Sequence, residues 1–237
     1  MADAIWAAAS GAVVQDQALN QITHDLANLN TSGFKASQLI FIEAVAPANA
    51  GADAATSAHA GVLQSVPDWS QGTLMPGVHD LDVGIDGAGF FVVLTAAGER
   101  LTRSGSWRLG SDGILRDSQG NFAQGQSGLL QAPPDEQVSI DQEGVIRVQG
   151  TAIDRLKVVD VPDRSRLKRE QHGLWNADGA DPFDIEAQLR PGTLEASNVS
   201  AVGTMAQMVN IHRAYESYHR VIESTLSAEK KLVNELR

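Results

Sequence analysis

Asp80, Asp82 and Asp86 lie close enough in sequence to supply oxygen ligands to a calcium ion. A calcium loop starting at Asp80 needs a glutamate at its twelfth position. That position is Phe91, and Gly84 fills a ligand position. Leu81, Val83 and Ile85 alternate with Asp82, Gly84 and Asp86, which predicts a strand whose acidic residues face solvent. Gly87-Ala88-Gly89 follows that strand as a phosphate-binding turn would. It leads into Phe90-Phe91 rather than a helix and lacks a third glycine, so it predicts a plain turn. Ser104-Gly105-Ser106 and Gln126-Ser127-Gly128 lack the Gly-x-Ser-x-Gly spacing of a nucleophile elbow. His212 and His219 are two helical turns apart, about 10 Å along an axis, without the i, i+4 spacing of a paired metal site. No pair of carboxylates is singled out for acid–base work. The residues predict no catalytic centre, no metal and no cofactor.

Composition narrows the classes further. The 237 residues are 43% hydrophobic, enough for a real core, and carry a net charge of −11. That balance argues against nucleic acid as a partner, because phosphate contacts need clustered Lys and Arg. The one basic cluster, Arg164, Arg166, Lys168 and Arg169, is short and predicts a solvated loop. There is no cysteine, so disulfides, thiolate catalysis and cysteine-ligated zinc are excluded. No apolar run reaches the ~18–20 residues of a membrane helix, which predicts no direct membrane insertion. Met1-Ala2-Asp3-Ala4 shows no basic region ahead of an apolar one, so no cleaved secretion signal is expected.

The elements that organise the chain are its two ends. From Ser200 to Arg237 apolar residues recur at alternating spacings of three and four: Met208, Ile211, Tyr215, Tyr218, Ile222, Leu232 and Leu236. Thr225 and Glu229 interrupt the stripe, and Met205, Leu226 and Val233 flank it. Near the start, Ile5, Ala8, Ala12, Leu19, Ile22, Leu26 and Leu29 fall on the same grid. Seven-residue periodicity of this kind predicts a coiled-coil seam. The alanines around Gly11 leave room for another backbone to approach. A two-helix stalk exposes at least one face, so the two ends are expected to pair with each other and with neighbouring copies.

Between Trp69 and Asp163 the pattern changes to short strands and tight turns. Phe90-Phe91-Val92-Val93-Leu94 predicts a buried strand, Ala97-Gly98-Glu99 a hairpin turn, and Asp112-Gly113 a second hairpin. Gln142-Glu143-Gly144 turns between two further strands, and Trp175 and Phe183 are expected anchors in an irregular stretch. The predicted fold class is α+β: long N- and C-terminal helices forming a coiled-coil stalk, with an inserted antiparallel β domain. The expected divisions are 1–36 with 192–237 as the helical part, 37–68 as an Ala/Gly-rich connector, flexible from Pro47 to Gly61, and 69–191 as the β domain.

These residues resemble a known family. Asp25-Leu26-Ala27-Asn28-Leu29-Asn30-Thr31-Ser32-Gly33-Phe34-Lys35-Ala36 is similar to the N-terminal motif of bacterial flagellar rod and hook proteins. Leu194, Glu195, Ser197 and Asn198, followed by Arg213, Tyr215 and Glu216, resemble the family's other end. Gly72-Thr73-Leu74, Leu81-Asp82-Val83, Gly87 to Val93 and Leu101-Thr102-Arg103-Ser104-Gly105 are similar to the central segment of the FlgF/FlgG rod proteins. His24-Asp25 stands where the family often has two Asn, and His212 where Gln is common. Length favours the FlgF type over the FlgG type. The resemblance implies a structural, non-enzymatic subunit of the flagellar basal-body rod in the periplasm. Its implied partners are copies of itself, neighbouring rod proteins and the flagellar type III export apparatus. The alternative from another class is a β-domain enzyme or binding protein that dimerises through its terminal helices.

Overall fold

The computed structural model describes residues 2–43, 61–133 and 136–235. The chain is α+β and divides into two compact units. The first contains residues 1–28, 36–68 and 199–237, and the second residues 29–35 and 69–198.

In the first unit, helix α1 spans Ala2–Ala27 and helix α2 spans Ala201–Glu235. Ala8, Ala12, Ala18 and Ile22 form the buried face of α1. The small residues allow close approach: a Cβ added at Gly11 would lie 2.5 Å from the Tyr218 ring of α2. Strands Ser37–Glu43 and Gly61–Pro67 pair antiparallel, Ser37 opposite Pro67 and Glu43 opposite Gly61. Asp25, only 5% exposed, ties α1 to this hairpin by accepting the Ser37 backbone N–H at 3.1 Å. The connector expected over 37–68 is thus strand at both ends, and Pro47 lies outside the described residues.

The second unit is built from antiparallel strands. Its largest sheet runs, in spatial order, 168–169, 174–176, 98–102, 90–95, 122–123, 115–116 and 108–109, with 158–160 also paired to 90–91. Phe91 and Val93 join Trp107, Val83 and Ile85 in one apolar cluster, while Phe90 and Val92 join Leu101, Val159 and Trp175 in another. Successive side chains on a strand point to opposite faces. Both faces of 90–95 are covered, which is why this strand reads as a continuous apolar run. Phe91 meets Trp107 edge-on at 5.4 Å, and Trp69 packs on Trp175 at 4.5 Å.

Three sequence expectations are corrected here. Asp82 does not face solvent; it is fully buried, and its Oδ2 accepts the backbone N–H groups of Val78 and His79, each at 2.9 Å. The strand 83–86 has both faces covered, so alternation there does not mark an open side. Phe183 is not an anchor, because its two-residue strand is a sheet edge and leaves it 49% exposed. The basic cluster is not simply solvated. Arg164 is bidentate to Asp160, and Arg169 lies over the rings of Phe34 and Trp175.

Candidate functional site

The turn that follows α1 meets the strand that precedes α2 inside the second unit. Asn28 caps α1, its Nδ2 donating to the His24 carbonyl at 2.9 Å. The chain then turns through Gly33 at φ +70°, a left-handed conformation that favours glycine. The Gly33 N–H donates to the Glu195 carbonyl at 2.8 Å, and a Cβ there would lie 2.5 Å from the Arg103 backbone. Phe34 is buried at 4% exposure under the Arg169 guanidinium, whose Nη2 donates to the Lys35 carbonyl.

Three charged side chains close the junction. Lys35, Arg103 and Glu195 are 2%, 4% and 1% exposed. Glu195 Oε1 accepts Lys35 Nζ at 2.6 Å and the Gly72 N–H at 2.9 Å. Its Oε2 accepts Arg103 Nε at 2.8 Å and lies 2.8 Å from Arg103 Nη2 as an ion pair. The surplus donors are satisfied: Lys35 Nζ reaches the Ser70 carbonyl at 2.7 Å, and Arg103 Nη1 reaches Gly87 and Gly89 carbonyls at 3.0 and 2.6 Å. Gly72 must be glycine, since a Cβ would lie 1.9 Å from the Ala196 carbonyl oxygen. Two cations share one carboxylate, so the cluster is a bound set of ions whose geometry is fixed by backbone carbonyls. It offers no free acid, base or nucleophile. Among the described residues no group of three or more His, Asp or Glu is placed to hold a metal.

The remaining motif residues divide between the units. Leu194 pairs with Met75, and Asn198 Nδ2 donates to both Ser70 oxygens at 3.1 Å. Asn30 is exposed and Ser197 half-buried. On α2, Arg213 is exposed, Glu216 lies 3.5 Å from His212, and Tyr215 meets the His219 ring edge-on at 4.6 Å. The junction therefore gathers Gly33, Phe34, Leu194, Glu195 and Asn198 of the two motifs, and leaves Arg213, Tyr215 and Glu216 on the helix. The expected helical boundaries at 36 and 192 differ accordingly. Residues 29–35 and 192–198 belong to the β unit because the ion cluster and its hydrogen bonds hold them there.

Sequence reasoning missed Lys35, Arg103 and Arg169 as determinants. A signal existed: Lys35 is the sole Lys or Arg before Arg100, and Glu195 the sole acidic residue between Glu186 and Glu216. A charge isolated in a small, apolar stretch is a candidate for burial.

The seam residues lie as follows. Ala8, Ala12 and Ile22 are buried, and Ile5, Leu19, Leu26 and Leu29 half-buried. On α2 the half-buried line is Thr204, Met208, Ile211, Tyr215, Tyr218, Ile222 and Thr225, spaced alternately by four and three. Met205 and Leu226 are outside it, 52% and 44% exposed. The Leu232 side chain and all of Leu236 fall outside the described residues.

Comparison with known proteins places this geometry. Residues 84–148 match the model of the flagellar hook protein FlgE/F/G D1 domain, and residues 190–234 match the flagellar basal body rod FlgEFG protein C-terminal model. Both matches support the flagellar rod protein family. The flagellar basal-body rod protein FlgF of Caulobacter vibrioides is 27% identical over 100% of this chain and 98% of its own length. The flagellar basal-body rod protein FlgG of Buchnera aphidicola is 26% identical over 98% of this chain and 99% of its own. The flagellar hook protein FlgE of Caulobacter vibrioides is 34% identical over 71% of this chain, which spans 30% of that longer protein. The C-terminal rod-family match starts at Arg190, so it takes in both Glu195 and α2.

Proposed function

We propose that this chain is a structural subunit of the flagellar basal-body rod, assembling helically through α1 and α2 to carry torque from motor to hook. The observation that carries this reading is a set of apolar side chains left uncovered on the helices. Trp6 and Val13 of α1 are 75% and 58% exposed; Val202, Met205 and Val209 of α2 are 80%, 52% and 50% exposed. On each helix these positions lie on a different face from the line that α1 and α2 bury between them. Fully burying one such side chain is worth about 1.5–3 kcal/mol, so neighbouring copies have much to cover. The Gly11–Tyr218 contact sits sixteen residues before the end of α1 and seventeen after the start of α2. Offsets that match to within one residue support an antiparallel stalk. The FlgF type is favoured over the FlgG type, because the alignment to Caulobacter FlgF needs 241 positions and that to Buchnera FlgG 260. The reading places the chain in the periplasm, delivered by the flagellar export apparatus without a cleaved signal, beside other rod proteins. It assigns no catalysis.

The test replaces Trp6 and Met205 with Asp in a strain whose native copy is deleted. Loss of swimming and of rod assembly, with a folded β unit by tryptophan fluorescence, is the expected result. Normal swimming and intact rods would refute assembly through these helices.

A further inference from the structure

We propose that the uncovered stripe of α1 in one copy docks on the uncovered stripe of α2 in the next copy, displaced along the stalk; this rests on the rod-subunit reading. The two stripes sit on opposite flanks of the helix pair. Trp6 and Val13 are centred about 170° round α1 from Ala8, Ala12, Ala18 and Ile22. Val202, Met205 and Val209 are centred about 140° round α2 from its half-buried line. Neither stripe reaches the other within a copy, so each copy carries two unlike surfaces. That is what a heterologous, repeating contact requires.

Spacing fixes the register. Copies that share one polarity set α1 of one against α2 of the next antiparallel, as within a copy. Among the described residues α2 exposes five large apolar side chains, Val202, Met205, Val209, Val221 and Leu226. In only one antiparallel register do Trp6 and Val13 both come level with members of that set. Trp6 then meets Val209 and Val13 meets Val202, each pair being seven residues apart on its own helix. Met205 falls level with Ser10, between them. Within a copy Gly11 faces Tyr218, which sets Trp6 level with Glu223. The next copy is therefore displaced by roughly 14 residues, or ~21 Å along the stalk. Charge disfavours pairing like with like. α1 bears Asp3, Asp16 and Asp25 and no Lys or Arg, so α1 on α1 sets acid against acid. The α2 stripe runs on into Arg213 and Arg220, both exposed and, among the described residues, without an ion-pair partner. α2 on α2 sets those cations together. The unlike pairing instead brings Arg213 level with the first turn of α1, where Asp3 stands.

The chain has no cysteine, so engineered pairs report cleanly. The full chain carrying Ser10→Cys and Met205→Cys replaces the native copy in swimming cells, which are then oxidised and resolved on a non-reducing gel. These two positions lie between the docking side chains and leave Trp6, Val13, Val202 and Val209 in place. Within one copy they are ~21 Å apart along the stalk, too far for a disulfide. Disulfide-linked dimers and higher multimers, absent from either single variant, are expected. Ser10→Cys with Arg220→Cys reports copies packed without displacement, and is expected to give monomers. Adding Trp6→Ala to the first pair should lower the multimer yield about tenfold; an unchanged yield overturns the proposal. So do multimers from a single variant or from the Arg220 pair, and so do monomers alone in cells that swim. Should the first pair abolish swimming, the purified full chain is oxidised at rising concentration and the same outcomes are read the same way. If swimming does not depend on the chain at all, the rod-subunit reading fails with it.

Discussion

Glu195→Gln tests whether the ion cluster holds the junction. The change keeps the side chain's shape but removes the single negative charge between Lys35 and Arg103. One amide oxygen can still accept from one cation. The amide N–H₂ then faces the other, donor against donor. Removing one partner of a buried ion pair costs about 3–5 kcal/mol, because a charge is left buried without compensation. An exposed pair would cost about 0–1 kcal/mol. The assay is urea unfolding followed by tryptophan fluorescence in a Trp6→Phe background. Trp69, Trp107 and Trp175 then all report on the β unit. With a slope of about 2 kcal/mol/M, a loss of 4 kcal/mol lowers the midpoint by about 2 M. Adding Lys35→Met should recover part of the loss, since one unpaired cation goes with it, and the coupling between the two changes should reach about 1–3 kcal/mol. A midpoint drop below about 0.5 M, or strictly additive single effects, would show that the cluster is not an obligatory set.

Other outcomes follow from neighbouring geometry. Gly33→Val combines a left-handed backbone with a Cβ pressed on the Arg103 main chain, and should cost at least about 2 kcal/mol of β-unit stability; an unchanged melting temperature would contradict that geometry. Ile222→Asp and Leu26→Asp put a charge into half-buried helix positions, and should abolish swimming while leaving the β unit's urea midpoint unchanged. Swimming by either strain would remove that position from the seam. The Asp112 carboxyl is held below its ordinary value chiefly by its hydrogen bond from Arg116. Its contribution is therefore present above the ordinary aspartate range and fades as pH falls through the lowered value. A carboxyl titration followed by NMR should show the lowered midpoint, and Arg116→Gln should return it to the ordinary range.

How much of this was legible in the sequence depends on how far apart the partners lie. Turns were readable because their chemistry is local: Gly98 and Gly113 both take positive φ where hairpins were expected. The apolar run at 90–94 was readable because it is buried on both faces. Asp82 was misread for the same reason in reverse. Alternation predicts an open face only when one face is open, and here Val83, Gly84 and Ile85 are all buried. The ion cluster was not readable as a unit. Its carboxylate meets a lysine 160 residues away and an arginine 92 residues away, and no local pattern links them. The motif residues Gly33 and Glu195 could be picked out, but not that one donates to the other's carbonyl.

Why a junction should use charge at all follows from what charge does to alternatives. An apolar plug in the place of Lys35, Arg103 and Glu195 could be about as stable, because burying ions recovers little net energy. It would tolerate slippage. Glu195 sits on the strand Thr193–Glu195, paired with Leu74–Pro76, with Glu195 opposite Leu74. A slip of one residue turns every side chain on that strand to the other face. Leu194 or Ala196 would then stand where the carboxylate belongs, and two buried cations would be left without an anion. Gly33 and Gly72 add a second constraint, since each admits the neighbouring backbone at a distance that only glycine allows. One register of the strand before α2 thus satisfies both the ions and the close approaches, and the turn after α1 is pinned to that same register through the Gly33–Glu195 hydrogen bond. In the proposed rod subunit, whose two terminal helices would each meet neighbours in a repeating array, an error of one residue at either helix would recur in every copy. A clamp that penalises the wrong register heavily is more useful there than one that merely adds stability.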